Sequence, residues 1–319
     1  MKVKIVSPVH VGTGSRYAKF DYLYRNKKVR IIDYEKAYME NARVRRLINN
    51  GRFDPNAASQ YYKYEIEAFC DPDREILEHI KVLHSPYIPG SSIKGTVRTA
   101  LLWKYLNDRD VKVKSDGELR KIEREFFGRT PHDDFMKFLL VRDTKPVFAD
   151  NLAVYEISVL SEVTRENELY LHPKPFKIFV ECLKPDTKLD VEIKIRGKES
   201  KYLEEWIDAV ATFSKHVIGI EKEFFENRNA DGKLDRLLSF IDVIESRLGS
   251  GDILLRLGFS TGWLWKTVGS LLTKNERIDL ANRLRLNRRK KGKDFPKTRR
   301  VIKLDDEYTW LPGWIQIVV

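Results

Sequence analysis

Residues 87–102 read Tyr-Ile-Pro-Gly-Ser-Ser-Ile-Lys-Gly-Thr-Val-Arg-Thr-Ala-Leu-Leu, and they constrain the fold more than any other stretch of the chain. Pro89-Gly90 breaks the backbone, and Ser91 and Ser92 supply hydroxyls that can cap a helix start. Ile93, Val97, Ala100, Leu101 and Tyr105 then recur at helical spacing, so a helix is expected to run to about Leu106 with that face buried. Lys94 and Arg98 stand four residues apart beside the stripe. Gly95 leaves the backbone open to close approach. The expectation is a cationic helix start whose free N–H groups hold phosphate. A Walker A loop is excluded, because Lys94 precedes the second glycine and Thr96-Val97 follows it.

Two more glycine-bearing loops sit far away in the chain. Ser7-Pro8-Val9-His10-Val11-Gly12-Thr13-Gly14-Ser15-Arg16 follows an expected strand and lacks the third glycine of a dinucleotide fingerprint. Gly258-Phe259-Ser260-Thr261-Gly262-Trp263-Leu264-Trp265-Lys266 links an expected buried strand to an expected helix. With Lys266 one turn in, it is a second phosphate candidate. Trp263 and Trp265 cannot both point inward, so one is expected to serve as a stacking surface or subunit contact. The plainer alternative for each loop is an ordinary turn.

Charge points the same way. The 319 residues hold 59 Lys and Arg against 47 acids, a net charge of +12. Between Lys274 and Lys303 there are thirteen basic residues and three acids, so this segment carries ten of the twelve excess charges. It includes Arg288, Arg289, Lys290, Lys291 and Lys293, then Phe295-Pro296-Lys297-Thr298-Arg299-Arg300. A basic patch with an aromatic in it favours a polyanionic partner, nucleic acid before membrane. The two cysteines, Cys70 and Cys182, have no metal-ligand spacing, no cofactor or metal is expected, and no apolar run is long enough to span a bilayer. A cytoplasmic protein is expected.

Strands are expected at 2–6, 29–32, 135–141, 147–160, 252–257 and 314–319, with a hairpin at 176–183 and 189–195. Helices are expected at 33–48, 116–127, 199–225, 231–248 and 278–286, and 75–83 is a further candidate. Strands and helices are interspersed without regular βαβ repeats, which favours α+β layers. No cluster of residues has the spacing of a catalytic or metal site, and the histidines are scattered.

Taken together, the 7–14 loop with Ile31-Ile32-Asp33-Tyr34-Glu35-Lys36, the 87–98 segment, and the 258–262 loop with 295–300 and Leu311-Pro312-Gly313-Trp314 resemble the RAMP superfamily of CRISPR-associated proteins. Within it, the combination looks most like the fifth subunit of type III-A (Csm) effector complexes. The resemblance implies two ferredoxin-like (RRM-like) units with helical insertions, at 1–165 and 166–319. It implies a non-catalytic subunit that binds crRNA, caps its 3′ end beside the backbone RAMP subunit and other Csm subunits, and aids crRNA maturation by protecting the RNA or recruiting nucleases. The expected RNA-binding residues are His10, Gly12, Gly14, Arg16, Ser91, Ser92, Lys94, Gly95, Arg98, Gly258, Gly262, Lys266, Lys297, Arg299 and Arg300. Two other roles of the superfamily stand as alternatives: a metal-independent crRNA-processing endoribonuclease with a histidine as acid or base, and a target-cleaving backbone subunit.

Overall fold

The computed structural model describes residues 1–318 except 112, 114, 166–167, 198–200 and 287–294. Its strands and helices form two principal sheets with helices packed between and around them, a mixed α/β architecture. The spine of the larger sheet is the strand Leu152–Arg165. Its first half pairs antiparallel with Ile178–Leu183 and, over two residues, parallel with Tyr62–Ala68. Its second half pairs with Glu168–Pro173 and Thr298–Leu304. Residues 152–160, rich in Leu, Val, Ile and Tyr, are buried throughout, as suits a central strand covered on both faces, and the strand's far end is partly exposed. The order across this sheet runs Gly12–Tyr17, Ile76–His79, Ile178–Leu183, Leu152–Arg165, Tyr62–Ala68, Lys28–Ile32, Tyr22–Arg25.

The smaller sheet joins the two ends of the chain. Its order is Lys188–Asp190, Lys2–Ile5, Trp314–Val318, Ile253–Arg256, all antiparallel. Both sheets therefore draw strands from each side of residue 165. The helix Gly90–Asn107 packs on Trp206–Glu226, which also meets Asp235–Gly249 and the Ile253–Arg256 strand. Their shared core carries a chain of aromatic rings: Trp103 lies 5.7 Å from Phe213, Phe213 5.9 Å from Trp265, and Trp265 4.9 Å from Trp314.

Several sequence expectations change. Residues 75–83 are not helical: Ile76–His79 is a strand in the large sheet, Lys81–Val82 a second short strand, and Leu83 opens a turn at φ +48°. The 33–48 helix is two helices, Tyr34–Glu40 and Ala42–Asn49, because Asn41 leaves helical geometry and caps the second with its side chain. The expected hairpin does not form: Ile178–Leu183 and Lys188–Asp190 enter different sheets. Residues Phe135–Phe138 form a 3-10 turn ahead of the short strand Leu139–Val141.

The two chain ends are clasped at one point. The buried Ser7 hydroxyl donates to Leu311 O (2.7 Å) and accepts from the Trp314 N–H (3.0 Å). Gly313 N–H donates to Pro8 O, and Leu257 N–H donates to Gly313 O, each at 2.9 Å. Gly313 adopts φ +97°, and a Cβ there would stand 2.4 Å from Leu257 O. Only glycine fits both conditions. Gly313→Ala should lower unfolding free energy by about 3 kcal/mol, combining left-handed strain with the backbone clash. Urea unfolding followed by tryptophan fluorescence measures it, and a change within 0.5 kcal/mol, ordinary for surface sites, would refute the clasp.

Candidate nucleic-acid interface

The three glycine-bearing segments, remote in sequence, line one cleft of about 590 Å³. His10, Val11, Gly12, Gly14 and Ser15 form one wall. The helix Gly90–Asn107 contributes Ser91, Ser92, Gly95, Thr96 and Thr99, and the third side is Arg256, Leu257, Gly258, Phe259 and Thr261 with Trp265 and Lys266. The loops meet by backbone pairing. Phe259 N–H donates to His10 O at 2.8 Å, and a Cβ on Gly258 would come within 2.4 Å of that oxygen. Gly258, at φ +88°, is thus fixed by close packing, whereas a Cβ on Gly95 would meet nothing within 4 Å.

The His10 wall rests on a buried polar network centred on Glu181. Its carboxylate accepts from the Tyr64 hydroxyl (2.7 Å), the His79 N–H (3.0 Å) and the Lys81 ammonium (2.5 Å). Tyr17 joins Tyr64 at 2.9 Å and donates to Glu78 at 2.8 Å. The backbone O of Glu181 lies 2.7 Å from His10 Nδ1, so that nitrogen carries the proton. Burial lowers the His10 pKa to about 4, with a smaller push from Lys81 against the raising effect of the bond to Glu181 O. Burial likewise holds His79 well below the ordinary range, His10 adding to it. Both rings are neutral near pH 7.

The floor rests on a second buried carboxylate. Glu221 pairs with the Arg299 guanidinium, stands 3.7 Å from Arg256 Nη1, and accepts from the Trp265 indole at 3.3 Å. Arg256 Nε donates to Pro312 O at 2.7 Å. Burial lowers the Arg256 pKa to about 10 despite Glu221. Lys266 is exposed; partial desolvation, then Arg300 and Arg256, lower its pKa, so its charged neighbours are cations. Arg300 lies over the Phe259 ring at 5.2 Å. Neither Lys266 nor Arg300 has a carboxylate within 4.0 Å among the described residues.

Of the sequence-expected residues, His10, Gly12, Gly14, Ser91, Ser92, Gly95, Gly258 and Lys266 line the cleft. Arg98 does not. It pairs with Asp134 at 2.6 Å and Glu123 at 3.5 Å and lies 3.6 Å over the Phe127 ring, so its charge is spent inside the fold. Arg299 is buried against Glu221 and is structural. Arg16 pairs with Glu75 at 2.5 Å. Lys94 is half-buried beside Asp134 and Arg98 and off the cleft, as are Lys297 and the exposed Gly262. Arg288 to Lys293 lie outside the described residues.

The helix start also differs from expectation. Pro89 is the cap residue and makes no side-chain bond; the Asp143 carboxylate accepts from the Gly90 N–H at 2.8 Å, and Ser92 N–H donates to Pro89 O. What the helix offers the cleft is therefore hydroxyls more than free N–H groups. Ser92, Gly95, Thr96 and Thr99 share one face, while Lys94 and Arg98 lie about 130° round the axis. Thr96, Thr99 and Arg256 line the cleft as well, beyond the sequence expectation. The Ser-Gly-Thr-Thr spacing of small polar groups was the available signal. Trp265 is buried, and Trp263 packs on Phe295 (5.1 Å) and over Gly269, so neither is a free stacking surface.

Fold and cleft define a mixed α/β protein whose glycine loops open onto a groove with an excess of cations. The chain belongs to the RAMP superfamily, whose model matches residues 2–264. It is 24% identical to the CRISPR system Cms protein Csm5 of Methanocaldococcus jannaschii, over 86% of this chain and 74% of that one. It is 26% identical to the Csm5 protein of Streptococcus thermophilus, over 74% and 73%. A shorter match, 38% identity over 26% of this chain and 35% of the other, is to the CRISPR system Cms endoribonuclease Csm3 of Mycobacterium tuberculosis. Among solved structures, a chain of a type III-A Csm–crRNA–target RNA ternary complex superposes with TM-score 0.70 at 25% identity, covering 99% of both chains. Crystalline T. onnurineus Csm5 gives 0.69 at 24%, covering 99% and 100%, a likeness of fold.

The histidine wall makes the protein acid-sensitive. Between pH 6.5 and about 4 the unfolded chain binds a proton at His10 that the folded chain does not. This contribution, about 3 kcal/mol, is complete above pH 6.5 and lost as pH falls toward 4. Urea unfolding at pH 7 and pH 4.5 should show that loss, and His10→Gln should show a smaller one; equal slopes in both proteins would refute the assignment.

Proposed function

We propose that the chain is a crRNA-binding subunit of a type III-A Csm effector complex, seated at the 3′ end of the crRNA, where it caps the filament of backbone RAMP subunits and supports crRNA maturation. The observation that carries the reading is the convergence of the 10–15, 91–99 and 256–266 segments on one cleft that Lys266 lines, with Arg300 beside it over the lining ring of Phe259, both without a carboxylate partner among the described residues. The names of the Csm5 relatives and of the Csm–crRNA–target RNA complex supply the class of assembly. In this reading Lys266 and Arg300 hold phosphates, Ser91, Ser92, Thr96 and Thr99 reach the sugar-phosphate backbone, and Gly12, Gly14 and Gly95 let it come close. The role is binding rather than cleavage. A general acid or base works best with a pKa near the operating pH, and His10 sits at about 4. The two ferredoxin-like units and the recruitment of nucleases belong to the same proposal.

Lys266→Ala with Arg300→Ala should flatten the slope of log K against log salt by roughly 1.4, two single-strand phosphate contacts, and weaken unrelated RNA sequences alike. Arg98→Ala should leave that slope unchanged. Filter binding from about 50 to 200 mM salt checks both, and the RNA should be recovered uncut with EDTA or Mg²⁺. A slope unaltered by the double substitution, or defined cleavage, sinks the reading. Gly95→Ala separates stability from binding. The helix should gain about 1 kcal/mol, since a Cβ at residue 95 meets open space, while the methyl narrows the cleft and lowers RNA affinity. Thermal melts and the same binding assay report the two effects; unchanged affinity would remove Gly95 from the path.

A further inference from the structure

Resting on the reading of the cleft as an RNA site, we propose that His10 Nε2 accepts a hydrogen bond from a ribose 2′-hydroxyl, so that this wall selects RNA over DNA. His10 is 3% exposed and lines the cleft. Its ring is held on three sides. Nδ1–H donates to Glu181 O at 2.7 Å, His79 meets it edge-on at 5.9 Å, and Phe259 edge-on at 5.6 Å. The loop beneath is pinned as well: Val9 exchanges backbone hydrogen bonds with Leu183, and Val11 N–H donates to His79 Nδ1 at 3.2 Å.

With the proton on Nδ1, the other nitrogen is a lone-pair acceptor. No described residue donates to it. It stands beside Gly12, where a Cβ would come within 2.8 Å, so glycine keeps the approach to Nε2 open. The depressed pKa and the repulsion from Lys81 keep the ring in this neutral form. A fixed acceptor among cations has a definite preference. It repels a phosphate oxygen, which has no proton to give, and welcomes a donor. Along a nucleic-acid backbone whose phosphates Lys266 and Arg300 hold, the donor carried by every residue is the 2′-hydroxyl, and DNA lacks it. Base amino and imino groups are donors too, but they vary with sequence.

The test compares the full chain with His10→Asn. The asparagine amide can replace Nδ1–H as donor to Glu181 O while removing the acceptor on the cleft side. Oligomers of one length are used as RNA, DNA and 2′-O-methyl RNA, in uridine-only, adenosine-only and mixed sequences. The native chain should bind RNA about fivefold more tightly than DNA or 2′-O-methyl RNA, one neutral hydrogen bond. In His10→Asn that margin should vanish through loss of RNA affinity alone. Equal loss for RNA and DNA overturns the proposal, as does a loss that follows base identity. If His10→Asn does not fold, equal affinity of the native chain for RNA and DNA is itself decisive against it. An unchanged salt slope in the Lys266/Arg300 variant would fail the RNA reading; the expected flattening there, together with an undiscriminating His10→Asn effect, would fail only this inference.

Discussion

One buried carboxylate sets the geometry on which the cleft depends. Glu221, on the helix Trp206–Glu226, faces Arg256 at the end of a small-sheet strand and Arg299 on a large-sheet strand. The two sheets and the central helix are therefore tied at a single point. Two guanidinium groups against one carboxylate leave a positive excess, and Arg256 lies in the cleft floor. A buried triad of this kind contributes little net stability over apolar packing, yet losing its centre strands two buried charges. Its value here is positional. It fixes the strand end from which the Gly258 loop departs, and that loop carries Lys266.

The opposite wall repeats the device with Glu181. Its backbone oxygen orients His10, and its side chain satisfies Lys81, Tyr64 and the His79 N–H. Each wall is thus held by a buried acid whose partners come from different strands. The seam between the walls is backbone to backbone, with Gly258 pressed on His10 O and Gly313 on Leu257 O. A cleft assembled this way is set before any ligand arrives, because its lining groups are already held by packing and hydrogen bonds.

The sequence made much of this legible. The loop at Gly258 and the helix from Gly90 are readable from glycines, a proline and an apolar stripe, because those signals are local; the expected 7–16 loop ends at Val11, since Gly12–Tyr17 is the edge strand of the large sheet, set by its pairing with Ile76–His79. The partners of the cations are not readable. Arg98 meets Asp134 and Arg299 meets Glu221, 36 and 78 residues away, and a charge count cannot see such pairs. The Asp143 cap on Gly90 comes from 53 residues away. Strand 76–79 is not legible locally, because Ile-Leu-Glu-His lacks a clean period of two and its sheet membership comes from its neighbours Ile178–Leu183 and Gly12–Tyr17.

The surface that remains after these pairings argues for a specific manner of binding. A helix face of Ser92, Gly95, Thr96 and Thr99 cannot supply charge; it supplies nearness. Thr96 and Thr99 hydroxyls donate to Ser92 O and Gly95 O at 3.2 Å, which leaves their lone pairs free to accept, and a rotation about the Cβ–Oγ bond turns each into a donor for an arriving oxygen. The cations Lys266 and Arg300 then act at slightly longer range and are not quenched by acids among the described residues. The net charge of +12 is in this sense a poor guide to the site. In the proposed site, the described residues would contribute two such charges and several neutral contacts, a shallow dependence on salt, and the discrimination between ligands would fall to the neutral groups, His10 before the others.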